Sequence, residues 1–179
     1  MKHANLFLLF VLFAACLQAQ DSTFVLSKYE EYSTSRGKAL KTMGRTIGQI
    51  RNTYIDVLRT TDIKKGDTVS VVRLTSAASN IDPWIFIDKE EVPNVINLLK
   101  YYAAEMKNGS VMNGVDYRYI TPNDVSITCS DSPGFFGGTF ITFSKIYRYS
   151  RTQIAGGLSF GKKDIEGLIQ LMQTASNAL

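Results

Sequence analysis

From residue 92 onward the apolar positions Val92, Val95, Ile96, Leu99, Tyr102 and Met106 fall on one face of a helix. Asp88, with Glu91 three residues on, predicts a capping box at its start, and Pro93 is tolerated because it falls in the opening turn. A second stripe runs through Ile165, Leu168, Ile169, Met172 and Ala175. Moving 73 residues along the chain carries Val92 onto Ile165, Leu99 onto Met172 and Tyr102 onto Ala175. The same shift carries Ile85 onto Leu158, Ile87 onto Phe160, and Arg45-Thr46-Ile47 onto Arg118-Tyr119-Ile120. A repeat that includes a strand and the helix after it predicts an internal duplication.

Before each helix the pattern changes to short runs rich in β-branched and aromatic residues. In the first half these predict strands near Arg45 to Ile50, Tyr54 to Thr60, Thr68 to Leu74 and Trp84 to Ile87, with Lys65-Gly66-Asp67 as a turn. In the second half they lie near Asp116 to Ile120, Val125 to Ser130, Thr139 to Tyr149 and Gln153 to Phe160. Consecutive strands without intervening helices pair antiparallel, and each sheet must cover one apolar face. The predicted fold class is α+β: tandem ββββα repeats, two antiparallel sheets each covered by one helix. The repeats span 36–109 and 110–179 and pack as one compact domain. Residues 20–35 form an N-terminal segment with a short helix through Val25, Tyr29 and Tyr32.

This order of elements resembles the duplicated ββββα fold of the Whirly proteins and Pur-alpha repeats. Arg36-Gly37-Lys38-Ala39-Leu40 is similar to the Lys-Gly-Lys-Ala-Ala-Leu run entering the first Whirly strand, short of one alanine. The resemblance covers most of the chain after residue 35 at the level of fold, with almost no residue identity. It implies single-stranded nucleic-acid binding, which such sheets perform inside cells or organelles.

The N-terminus points elsewhere. Lys2 and His3 precede an apolar stretch from Leu6 to Ala15, and Cys16-Leu17-Gln18-Ala19 follows before Gln20. With Ala19 as the small residue before the cut, and Leu17 bulkier than the residue usual two places earlier, this is the form of a cleavable secretory signal over residues 1–19. Phe13-Ala14-Ala15-Cys16 also resembles a bacterial lipobox, in which Cys16 would be lipidated. The expected location is periplasmic or extracellular, with an outer-membrane lipid anchor if Cys16 is acylated and no other membrane contact.

Composition narrows the chemistry. Of the 179 residues, 45% are apolar and 20% charged, enough for an ordinary core. The single histidine, His3, and one of two cysteines, Cys16, lie in the signal, leaving Cys129 alone in a strand-like run. Ser-His-Asp and Cys-His systems, His-ligated zinc and an internal disulfide are therefore excluded from the mature chain. No catalytic, cofactor-binding or metal-ligating motif is present, and the expectation is a non-enzymatic protein without cofactors.

The candidate binding surface rests on Arg36 and Lys38, and on Lys145, Tyr147, Arg148, Tyr149 and Arg151, where cations alternate with rings along one strand. Stacking rings flanked by cations are what single-strand binding needs. Yet without Lys2 the 20 basic residues fall to 19 against 16 acidic, a net of only +3. Affinity for a polyanion grows with the cations that reach phosphates together, so nucleic acid is an unfavoured partner. Asp88, Glu90, Glu91, Asp164 and Glu166 at the helix starts read as caps. Trp84 reads as core or interface packing, and Phe135-Phe136 as either a hydrophobic loop tip or a fold-back onto the sheet. The expected function is an exported binding or interaction module with an unidentified extracytoplasmic partner, open to oligomerisation.

Overall fold

The computed structural model describes residues 25–77, 84–109, 115–132, 138–146 and 157–179. Residues 1–24, where the secretory signal or the lipobox cysteine Cys16 is expected, and residues 147–156 are among those outside them.

Helix α1 (Lys28–Ser33) opens the described chain and is closed by a capping box between Ser27 and Glu30. Strands β1 (Leu40–Ile50), β2 (Thr53–Asp62), β3 (Thr68–Ser76) and β4 (Ile85–Asp88) form one antiparallel sheet in chain order, followed by α2 (Val92–Asn108). Strands β5 (Tyr117–Ile120), β6 (Val125–Ser132), β7 (Gly138–Lys145) and β8 (Leu158–Gly161) form the second sheet, followed by α3 (Ile165–Ala178). The fold is α+β, two antiparallel four-stranded sheets each followed by a helix. Gly109 ends α2 in the left-handed region at φ 71°, where its N–H bonds the Glu105 carbonyl.

β4 and α2 begin 73 residues before β8 and α3, as the sequence pattern requires. Further upstream the equivalence drifts. Ile85 pairs with Leu74 and Leu158 with Phe143, so Leu74 corresponds to Phe143, an offset of 69. Leu74 in turn pairs with Ile55 and Phe143 with Ile127, an offset of 72, and Ile55 and Ile127 pair with Gly48 and Tyr119, an offset of 71. The predicted match of Ile47 to Ile120 is therefore out of register. The first-repeat hairpin turns on Arg51-Asn52, a bulge interrupts β1 between Thr46 and Gly48, and the β5–β6 turn is longer. Spacing survives only where strand four runs into its helix without a hairpin.

Alternation puts Ile55, Val57, Val72, Leu74, Ile85 and Ile87 on the inner face of the first sheet. Ile127, Cys129, Ile141, Phe143, Leu158 and Phe160 take the equivalent places on the second, and all twelve join one core with both helix stripes. The helices run antiparallel: Lys107 near the end of α2 pairs with Glu166 at the start of α3 at 3.0 Å.

The cover is crosswise. α3 lies along β1 and β2 of the first sheet. Leu171 closes on Gly48, where an added Cβ would stand 2.7 Å from its Cδ2. α2 sends Tyr102 to the second sheet, where its hydroxyl donates to the Ile127 carbonyl at 3.2 Å. The expected capping box is not formed at α2, because its carboxylates are used across the repeats and on α1. Glu91 accepts from the Tyr119 hydroxyl of β5 at 3.0 Å, and Asp88 accepts the Lys28 N–H of α1 at 3.0 Å. Asp164, 73 residues after Glu91, holds Arg51 at the end of β1 at 2.7 Å. Each helix start thus clasps the first strand of the other repeat.

Candidate functional site

The outer face of the first sheet is where the two repeats part. On β2 and β3, Tyr54, Asp56 and Leu58 alternate outward, opposite Thr75, Arg73 and Val71. On β4, Phe86 and Asp88 point outward opposite Arg73 and Val71, and Trp84 precedes the strand on the same side. Helix α1 covers one end of this face: the Tyr29 ring packs on Phe86 at 5.2 Å over Leu58 and Val71. The other end is open among the described residues, and there Trp84 is 57% exposed and Tyr54 39%.

The open end is built around one ion pair. Arg73 donates from Nε and Nη2 to Asp56 Oδ2 at 3.1 and 2.7 Å, and the Thr46 hydroxyl donates to Asp56 Oδ1 at 2.8 Å. The guanidinium also lies over the Trp84 indole, 5.4 Å from its centroid, and Phe86 meets the indole edge-on at 6.3 Å. Trp84 is thus fixed by a cation and a ring, with over half its surface in water. Thr75, between Tyr54 and Trp84, keeps a buried hydroxyl with no hydrogen-bond partner. The arrangement can stack a flat ligand, and among the described residues it offers no free cation to an anion, because Arg73 is neutralised by Asp56.

The predicted surface residues fall differently. Arg36 is exposed between α1 and β1, and the Lys38 ammonium lies 3.8 Å from the Tyr32 ring centroid. Lys145 is a correction. It is only 8% exposed, on the same side of β7 as Phe143, and its Nζ donates to both Glu30 oxygens of α1 at 2.6 and 2.7 Å. An ammonium buried there is held by its carboxylate and is not offered to a ligand. Tyr147, Arg148, Tyr149 and Arg151, like Phe135 and Phe136, lie outside the described residues. Trp84 is the second correction: it is a surface ring, not core packing. Period-2 alternation could have found it, since Ile85 and Ile87 face inward and the residues on either side must face out.

Other groups are structural. Cys129 is fully buried, and desolvation pushes its thiol up to about 11, aided by Asp116 and Glu105, so it stays a neutral core residue. A polar cavity of about 380 Å³ at the open edge of β3 is lined by Lys28, Arg59, Ser70, Asp88, Lys89 and Glu90. Most of its charges are engaged: Lys28 pairs with Glu90 at 3.2 Å, and Arg59 and Lys89 donate to the Leu179 carbonyl at 2.9 and 3.4 Å, whereas Oδ1 of Asp88 is buried without a hydrogen-bond partner. Burial raises the Asp88 carboxyl above its ordinary value of 3.8. Among the described residues no group of three His, Cys, Asp or Glu side chains could hold a metal, and no helix is long and apolar enough to cross a membrane. No protein-family model matches the chain, and no curated protein matches it.

Proposed function

We propose that the protein is an exported, non-enzymatic binding module that recognises its ligand on the open outer face of the first sheet. The observation that supports this most is Trp84, exposed yet held in one pose by Arg73 and Phe86. A large ring kept rigid in water loses little freedom when a ligand covers it, which favours binding. The export part rests on the N-terminal pattern of residues 1–19, and lipidation at Cys16 remains its membrane-anchored variant.

Single-stranded nucleic acid is the second reading, favoured by the resemblance in element order and by a ring platform that would also stack bases. The paired Arg73 and the buried Lys145 weigh against it, since phosphates need free cations.

Trp84 is the only tryptophan in the chain, so its emission reports on this face alone. Extracts of the native host's surroundings, fractionated and added to the mature protein, are expected to yield a fraction that shifts this emission saturably. A ligand that binds with full affinity when Trp84 and Tyr54 are both replaced by alanine would place recognition elsewhere. Intact mass of the native protein tests export: loss of residues 1–19, or a chain beginning at acylated Cys16, is expected, and retained Met1 contradicts it.

A further inference from the structure

We propose that the open end of the first sheet binds a neutral, linear, β-linked oligosaccharide; this rests on the reading of that face as the recognition surface. The register sets the geometry. Tyr54 pairs with Thr75, and the Leu74–Ile85 pair places Trp84 beside Thr75 on the next strand. Two ring-bearing positions therefore lie in one row, two strands apart, a separation of about 10 Å at ordinary strand spacing. A β-1,4-linked pyranose chain is a flat ribbon that turns the same C–H face downward at every second ring, at a comparable spacing. Such a ribbon lies across the row with one sugar on Tyr54 and the next but one on Trp84. The electron-rich faces of the two side chains attract its polarised C–H groups.

Charge chooses among flat ligands. At the open end, among the described residues, Arg73 and Asp56 close on each other at 2.7 Å, and the Thr46 hydroxyl donates to the second carboxylate oxygen. The face is electrically balanced, which suits an uncharged ligand and gives a phosphate or sulfate nothing to neutralise. Thr46 and Gln49 are exposed beside the row; with the Thr46 hydroxyl donating to Asp56 and Gln49 Nε2 to the Arg51 carbonyl, they meet sugar hydroxyls as acceptors. The fold does not require the rings. At the equivalent places of the second repeat stand Ser126, Ser144 and Gly157, which continue the same register without a single aromatic side chain.

The test is titration of the full mature chain, at low and at high salt, with cellohexaose and N-acetylated chitohexaose, followed by Trp84 emission and by calorimetry. At least one of the two is expected to give a saturable shift that salt leaves unchanged. Maltohexaose, α-linked and helical, is expected to bind at least tenfold more weakly. Tyr54→Ala should weaken binding at least tenfold and Trp84→Ala should abolish it calorimetrically. Trp84→Phe, which keeps a ring for packing, should bind at an intermediate level and serves if the alanine variant does not fold. No saturable response to either β-linked chain overturns the proposal, as does maltohexaose binding equally well. If oligothymidylate instead quenches Trp84 with steep salt dependence, the ligand class falls while the recognition face stands. If a glycan binds unchanged in the Trp84→Phe and Tyr54→Ala variants, the face itself is wrong.

Discussion

The two sheets match on their inner faces and differ on their outer ones. Inward, Ile55, Val57, Val72, Leu74, Ile85 and Ile87 correspond to Ile127, Cys129, Ile141, Phe143, Leu158 and Phe160, apolar at every place and buried in one core. Outward, the row Asp56–Arg73–Phe86 corresponds to Thr128–Thr142–Ser159, and Tyr54–Thr75–Trp84 to Ser126–Ser144–Gly157. The inner faces are tied together, because each must fit helices that run across both repeats. The outer faces carry no such mutual constraint, so one can hold hydroxyls and the other a salt bridge, two exposed rings and a covering helix. Among the described residues, the difference places the divergence on the outer faces and the likeness in the shared core.

The largest effects should come from the core, and equally from both halves. Leu99→Ala and Met172→Ala, at matched and fully buried places, should each cost about 2–5 kcal/mol in denaturant unfolding. A large loss at one and none at the other would mean the repeats do not share the core evenly. Next is Lys145→Met, which leaves Glu30 of α1 without its partner. A cost of about 3 kcal/mol is expected, the lower end for breaking a buried pair because Glu30 is partly exposed. Adding Glu30→Gln should recover much of it, and a double-mutant cycle reads the coupling.

Smaller is Tyr119→Phe, which removes the hydroxyl that joins β5 to Glu91 of α2. About 1 kcal/mol is expected from that one hydrogen bond, and no change would mean the clasp is ornamental to stability. The smallest concerns Asp88, which anchors α1 to the outer face. Its carboxyl is raised, chiefly by burial, above its ordinary value of 3.8, so the folded chain holds the proton more tightly than the unfolded one. That contribution favours folding below pH 3.8 and is lost as pH rises through the folded value. Asp88→Asn can still accept from Lys28 and should flatten this part of the stability–pH curve; an unchanged slope would remove Asp88 as its source.

Both principal helices and the strands leading into them were legible in the sequence, because there period-3.6 and period-2 patterns follow each other at one fixed spacing. β1 begins earlier than its sequence pattern predicts: its leading residues, Leu40 to Gly44, set their two large apolar side chains, Leu40 and Met43, three apart, which gives no period-2 alternation. The register of β1 against β5 was hidden by a bulge and by turns of unequal length, which shift spacing without altering the core. Asp88 and Glu91 looked like caps because capping boxes are local. Their observed partners, Lys28 and Tyr119, are distant in the chain and invisible to a local reading. Lys145 was misread for the same reason: its partner Glu30 lies 115 residues away. Of the recognition face, Trp84 and Tyr54 were recoverable from alternation, whereas the Asp56–Arg73 pair needed the pairing of β2 with β3.

The crosswise core is the claim on which both the stability and the divergence of the outer faces rest, and fragment complementation tests it directly. Residues 25–109 and 110–179 are expressed separately, then mixed and followed by far-UV circular dichroism and analytical ultracentrifugation. Each sheet would lack the helix that crosses it from the other repeat. Neither fragment is expected to form a monomer that unfolds cooperatively, and the mixture should give a one-to-one complex with a single sharp transition. A fragment 25–109 that stays monomeric and unfolds cooperatively by itself would contradict the account.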